Sequence, residues 1–375
     1  MPSSPSSAHI TWYRLNMTNK SKNYQIACIP ADGIGPEVIS AAVDVLKVLT
    51  DTLKTFSLEF TDLTWGSDHY KKHGRYIPEG GVESLKQYDA ILFGSVGAPD
   101  VPDHISLWGL LLAMRGPMQL YANVRPVRSF PGTRAYLTSM TKPIDWMIVR
   151  ENSEGEYAGQ GGRSHLRQPW ETATEVAIFT RVGIERIMKF AFEMARSRPA
   201  KLLTVVTKSN SMRNGMVLWD EIAAEVSKDF PDVIWDKMLV DAMTVRMVTN
   251  PHSLDTVLGT NLHMDIISDL AAALAGSIGI APSSNLDPTR KNPSIFEPVH
   301  GSAFDITGKG VANPVAAIWS AAELLKWIGE AEAADILMAS VERVCSKGVV
   351  TADLGGQYNT KEVTAAICED IKENK

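Results

Sequence analysis

Asp265 and Asp269 stand four residues apart in the segment MDIISDL. That spacing sets two carboxylates side by side on one helical face. Like charges so placed repel unless a cation shares them, and hard carboxylate oxygens suit Mg2+ or Mn2+. The same spacing also fits a solvated helix face with two unrelated acids. Asp241, in LVDAM, follows an apolar strand-like run. It reads either as a third ligand or as the N-cap of the helix that follows.

Arg115, Arg125 and Arg150 each sit in apolar surroundings, in LLLAMR, YANVRP and WMIVRE. A cation there is costly unless it meets an anion, and the planar guanidinium fork grips a carboxylate well. Each could equally be an ion-paired structural arginine. Lys208, closing TVVTK, and Tyr157, in EGEY, are candidates for proton transfer. Gly33-Ile34-Gly35 is a partial glycine-rich loop, with Val38 where the dinucleotide fingerprint needs a third glycine, so a Rossmann reading does not follow. No G-x-S-x-G elbow and no H-E-x-x-H occurs, and the eight histidines lack ligand spacing.

The elements that must carry these residues alternate between apolar runs and helical periods, which predicts α/β. Gln25–Pro30 reads as a strand, followed by a turn over Ala31–Gly35 and a helix opening at Pro36. Val38, Ala42, Val45, Leu49 and Leu53 form its buried stripe. Ala90–Phe93, Trp146–Arg150 and Leu202–Thr207 read as strands. Arg181–Arg196, Asp265–Leu274, Pro314–Ile328 and Ala331–Val344 read as helices. Residues 158–171 look like an irregular excursion or arm. The stretch 276–313 is too long for a simple connection, which points to a functional loop.

The 375 residues suggest two domains. Hydrophobic residues at 45% and charged residues at 21% are ordinary for a globular chain. A net charge of −6 argues against broad nucleic-acid binding. Cys28, Cys345 and Cys368 show neither metal nor disulfide spacing and read as buried hydrophobes in a reducing compartment. No apolar run is long enough to span a membrane. Residues 1–23 read as a flexible tail, and the location as cytoplasmic, with a mitochondrial presequence the weaker alternative.

Taken together, the motifs resemble the β-decarboxylating dehydrogenases, the family of isopropylmalate, isocitrate, homoisocitrate and tartrate/D-malate dehydrogenases. The resemblance runs from about residue 25 to about 368. It rests on ADGIGPEV (31–38), Arg115…Arg125-Pro126, VREN (149–152) with Tyr157, KSN (208–210), VDAM (240–243), D-x3-D (265–269) and FEPVHGSAFDITGKGVANP (296–314). It implies a two-domain isopropylmalate dehydrogenase-like α/β fold, not a Rossmann fold, with the active site in a cleft. The expected cofactor-binding domain is 24–126 plus 275–375. The expected substrate and dimerisation domain is 127–274, with an arm at about 158–171.

The resemblance further implies roles. Arg115, Arg125 and Arg150 would clamp substrate carboxylates, with Trp108, Leu111 and Leu112 as a bulky apolar wall. Asp265, Asp269 and a partner's Asp241 would hold Mg2+ or Mn2+. Lys208 would act as base and Tyr157 as acid, with Asp241 beside them. Glu297, His300, Gly301, Asp305 and Asn313 would contact NAD, and Asp305 would disfavour the extra phosphate of NADP. K+ would be an additional cation. VPDHISLWG (101–109) is similar to the tartrate/D-malate branch. The expected reaction is oxidation, with decarboxylation, of a small 2-hydroxy dicarboxylate in a homodimer with shared sites, with no nucleic acid and no membrane partner. The alternatives are 3-isopropylmalate dehydrogenase, a divergent paralogue, or a non-catalytic regulatory subunit. Three departures from the family pattern stand out: Ala31 and Met264 where glycine is usual, and Gly116-Pro117 after the first clamp arginine. Met264 would add bulk near cofactor and substrate.

Overall fold

The computed structural model describes residues 22–132 and 142–374. The tail expected over 1–23 lies outside the described residues up to position 21, while Lys22 and Asn23 belong to the first strand. Among the described residues the strands are Lys22–Ala31 (β1), Phe56–Asp62 (β2), Ala90–Ser95 (β3), Ala122–Arg128 (β4), Asp145–Glu151 (β5), Gly155–Ser164 (β6), Thr172–Ile178 (β7), Leu202–Thr207 (β8), Ile234–Leu239 (β9), Thr256–Gly259 (β10), Pro282–Leu286 (β11) and Ser294–Pro298 (β12). The chain divides into two compact units. One comprises residues 22–120, 124–132, 142–145 and 271–374; the other comprises Tyr121–Asn123 and Trp146–Leu270.

In the first unit β1 pairs in parallel with β2 and β3, so that Ile26 lies opposite both Phe60 and Ala90. A strand with neighbours on both edges and helices over its faces is apolar without alternation, and Ile26, Ala27, Cys28 and Ile29 are fully buried. The helix Gly35–Leu53 begins one residue before Pro36 and buries Val38, Ala42, Val45 and Leu49 as its spacing predicts, with Leu53 half-buried. β3 pairs in parallel with β12, and β12 is antiparallel to β11. The long stretch 276–313 therefore holds two strands that the sequence did not suggest. The composition of β11 hides it: Ser283, Ser284 and Asn285 are polar yet buried.

In the second unit β5, β10, β8 and β9 lie in that order, all parallel. The helix Arg181–Ser197 buries Ile184, Ile187, Met188 and Ala191, at spacings of three, one and three. The segment 158–171 is a strand up to Ser164 and a turn beyond it. β6 and β7 form an antiparallel ribbon from Gly155↔Ile178 to Ser164↔Thr172, and β7 is exposed along its whole length. The three cysteines are free, with Cys28 and Cys345 buried and Cys368 half-buried. Among the described residues no helix is long and apolar enough to cross a membrane.

Candidate active site

The second unit gathers its reactive side chains at the C-terminal ends of its parallel strands, where open α/β sheets place their ligands. The register Arg150↔Gly259 sets the last turn of β5 level with the end of β10. Thr260 follows, and the helix Asn261–Ala275 begins directly after it. Arg150 is 3% exposed. Its Nε and Nη2 donate to Asn261 Oδ1 at 2.9 and 2.8 Å, and its Nη1 donates to Asp265 Oδ1. The hydroxyl of Tyr157 donates to the other oxygen, Asp265 Oδ2, at 2.8 Å, and the guanidinium lies 5.5 Å from the Tyr157 ring centroid. A buried cation, a carboxylate and a phenol are thus joined from three separate segments of sequence.

Asp265 keeps 38% exposure, and Asp269, one turn on, is exposed. Two hard carboxylates on one solvent-facing turn fit a divalent cation that retains water and takes further oxygens from a substrate. Among the described residues no three His, Cys, Asp or Glu side chains converge as a metal centre, so Asp241 of the same chain does not complete this pair.

Asp241 lies instead beside Lys208. The register Thr207↔Leu239 aligns the ends of β8 and β9; the lysine follows one residue on and the aspartate two. Lys208 Nζ donates to Asp241 Oδ1 at 2.5 Å, and that hydrogen bond holds the Asp241 carboxyl below its usual range. The N-cap reading of Asp241 fails: Leu239 occupies the cap, and Asp241 is in the first turn of the helix Val240–Thr249.

Met264 does not add bulk at the surface of the site. It is fully buried, and a Cβ placed on Gly259 would come within 2.7 Å of its terminal methyl. The space vacated by Gly259 is the reason Met fits there. His263, also buried, has an imidazole pushed below its ordinary value by burial; Glu156 acts against that shift and Lys208 with it.

The first unit holds the remaining expected residues. Arg115 ends the helix Leu111–Arg115 and Arg125 lies within β4; both are buried. Trp108 is 47% exposed and Leu112 half-buried, whereas Leu111 packs into a core with Tyr76, Phe93 and Met114. In β12 Glu297 accepts from Asn285 Nδ2 at 2.7 Å. A Cβ on Gly301 would meet nothing within 4 Å, so the loop is open there. His300 is held below its ordinary value by burial. Asp305 is exposed, with no side-chain hydrogen bond or ion pair to any described residue. Asn313 accepts from Val315 N at 3.0 Å and donates to Asp353 at 2.9 Å.

Sequence reasoning passed over Asp32 and Asp353. Asp32 accepts from Ser67 N and Oγ and from Gly97 N, pinning the turn whose Ile34 N donates to Ser302 O at 2.9 Å. Asp353 accepts from Ser277 Oγ at 2.6 Å, from Thr351 Oγ1 and from Asn313. Both lie in turn-like segments, ADGIG and TADLGG, and turn composition was the available signal.

Cationic and acidic groups presented together at the C-terminal edge of a parallel sheet define an α/β enzyme for small anionic substrates. The family of isocitrate/isopropylmalate dehydrogenases matches residues 25–369, and the chain belongs to it; the protein is an oxidoreductase. A protein of Agrobacterium vitis named as a probable tartrate dehydrogenase/decarboxylase is 61% identical over 93% of this chain and 98% of its own. The decarboxylating D-malate dehydrogenase of Escherichia coli is 44% identical over 93% and 99%. Among solved structures, isocitrate dehydrogenase from Methylococcus capsulatus superposes with a TM-score of 0.85 at 34% identity, covering 93% of this chain and 99% of that one.

Proposed function

We propose that the chain is an NAD- and Mg2+- or Mn2+-dependent dehydrogenase that oxidises D-malate or tartrate and decarboxylates the product. The observation that carries this reading is the Arg150–Asp265–Tyr157 linkage, which holds a carboxylate grip, a metal-type acid and a proton donor in one place. Arg115, Arg125 and Arg150 hold the substrate carboxylates through charge-assisted hydrogen bonds. Bound NAD would accept the hydride from C2, and a bound divalent cation would supply Lewis acidity at the 2-hydroxyl. Lys208 takes the hydroxyl proton. Once CO2 has left, the Tyr157 hydroxyl donates its proton to the carbon that carried the departing carboxylate.

The names of the relatives support a short hydroxy acid, and the exposed, bulky Trp108 would disfavour a substrate with a third carboxylate. The exposed Asp305 supports NAD over NADP. Apolar side chains left in water on the second unit, Trp170, Val176, Val245, Val248 and Ile266, support a homodimer. Lys208 and Asp241 would then serve the partner's site. Free thiols support a cytoplasmic location.

The test is NADH formation, with Mn2+ and K+ present, on D-malate, L- and meso-tartrate, 3-isopropylmalate and isocitrate, repeated with NADP. The expected result is turnover of D-malate or a tartrate, with kcat/KM at least about tenfold higher for NAD. Preference for 3-isopropylmalate would make the chain an isopropylmalate dehydrogenase. Turnover of none of these acids would overturn the D-malate/tartrate reading and favour a divergent paralogue that acts on another hydroxy acid.

A further inference from the structure

The helix that carries Asp265 and Asp269 begins at the end of a strand, and its first turn must find partners for its unpaired N–H groups. Thr260 supplies one, accepting from His263 N at 3.4 Å. Glu156, more than a hundred residues earlier, supplies another. Its Oε2 accepts from Leu262 N at 3.2 Å, and its Oε1 accepts from the Thr260 hydroxyl at 3.0 Å. A carboxylate at a helix N-terminus also meets the positive end of the helix dipole.

Glu156 is adjacent in β6 to Tyr157, in the stretch between Gly155 and Gln160 where the strand register shifts. The two neighbouring residues grip the same helix at different points, Tyr157 at Asp265 and Glu156 at the first turn. Asn261 adds a third tie, from its Nδ2 to the carbonyl of Glu154 at 3.2 Å.

We propose that Glu156 is a positioning residue for the cation site. By capping the helix Asn261–Ala275 it sets the height at which Asp265 and Asp269 present their oxygens. This rests on the divalent-cation reading given above. Groups that orient a metal ligand typically govern metal affinity by 10–100-fold.

The test is Mn2+ binding to the full-length, cofactor-free protein, followed through the electron paramagnetic resonance signal of free Mn2+, with thermal unfolding in parallel. Glu156→Ala removes the cap; Glu156→Gln removes the charge but keeps an acceptor and a donor at the same reach. The expected result is Mn2+ affinity about tenfold weaker in Glu156→Ala at temperatures where it is folded, and largely restored in Glu156→Gln. Equal affinity in wild type and folded Glu156→Ala, with only a lowered Tm, would overturn the proposal and leave the cation reading standing. Equal weakening in the Gln and Ala variants would overturn it too, because charge rather than placement would then be at work. Absence of Mn2+ binding by wild type would remove the cation reading and this proposal with it. Should Glu156→Ala not fold, Thr260→Val takes its place, since it deletes the hydroxyl that Glu156 receives; unchanged affinity there overturns the proposal equally.

Discussion

Ala31 has φ at 55°, in the left-handed region, at the turn between β1 and the helix Gly35–Leu53. An L residue with a Cβ is held there at a cost of about 1–2 kcal/mol, which glycine escapes. The extra freedom of glycine in the unfolded chain takes back part of that gain. Ala31→Gly is therefore expected to stabilise the protein by about 0.5–1 kcal/mol, seen as a higher urea midpoint with an unchanged slope. A midpoint equal to or below that of wild type would show that the turn relaxes around alanine without strain. The sequence marked this position as unusual, because glycine is customary in the motif it resembles. The backbone angle supplies the reason that glycine is customary.

At the scale of elements, what the sequence disclosed was periodicity. The apolar run of β1, the stripe of the helix Gly35–Leu53 and the exact span Leu202–Thr207 follow from burial alone. β11 was hidden because buried strands normally read as apolar, and it carries Ser283, Ser284 and Asn285; β12 is five residues long with only Ile295 and Phe296 as an apolar pair. The C-terminal helix Thr360–Glu373 was legible but unread: Asn359 and Glu362 form a capping box, an N-x-x-E pattern. Candidate site residues were visible by type, yet their partners depend on strand register, which pairs Arg150 with Gly259 across more than a hundred residues. Met264 shows the limit most directly. Bulk before a metal-type acid suggested a reshaped site, but the side chain turns into the space left by Gly259. Met264→Ala should then act through packing, costing about 2–5 kcal/mol as an emptied core position does. The ranking of hydroxy acids should stay as in wild type. A changed ranking at unaltered stability would return Met264 to the substrate site.

For the whole molecule, the central feature is that its acids do not converge within one chain. Asp265 is tied to Arg150 and Tyr157, Asp241 is tied to Lys208, and no three such ligands meet among the described residues. On the proposed reading, a second copy of the chain would bring Lys208 and Asp241 to the Asp265–Asp269 pair. Mixed dimers test it most directly. Lys208→Met and Asp265→Asn are each expected to give an inactive homodimer. Co-expressed with different tags and purified through both, the mixed dimer should hold one site with neither lesion and one with both. The account predicts NADH formation near half that of wild type; no activity from a folded mixed dimer would contradict it, because each site would then belong to a single chain.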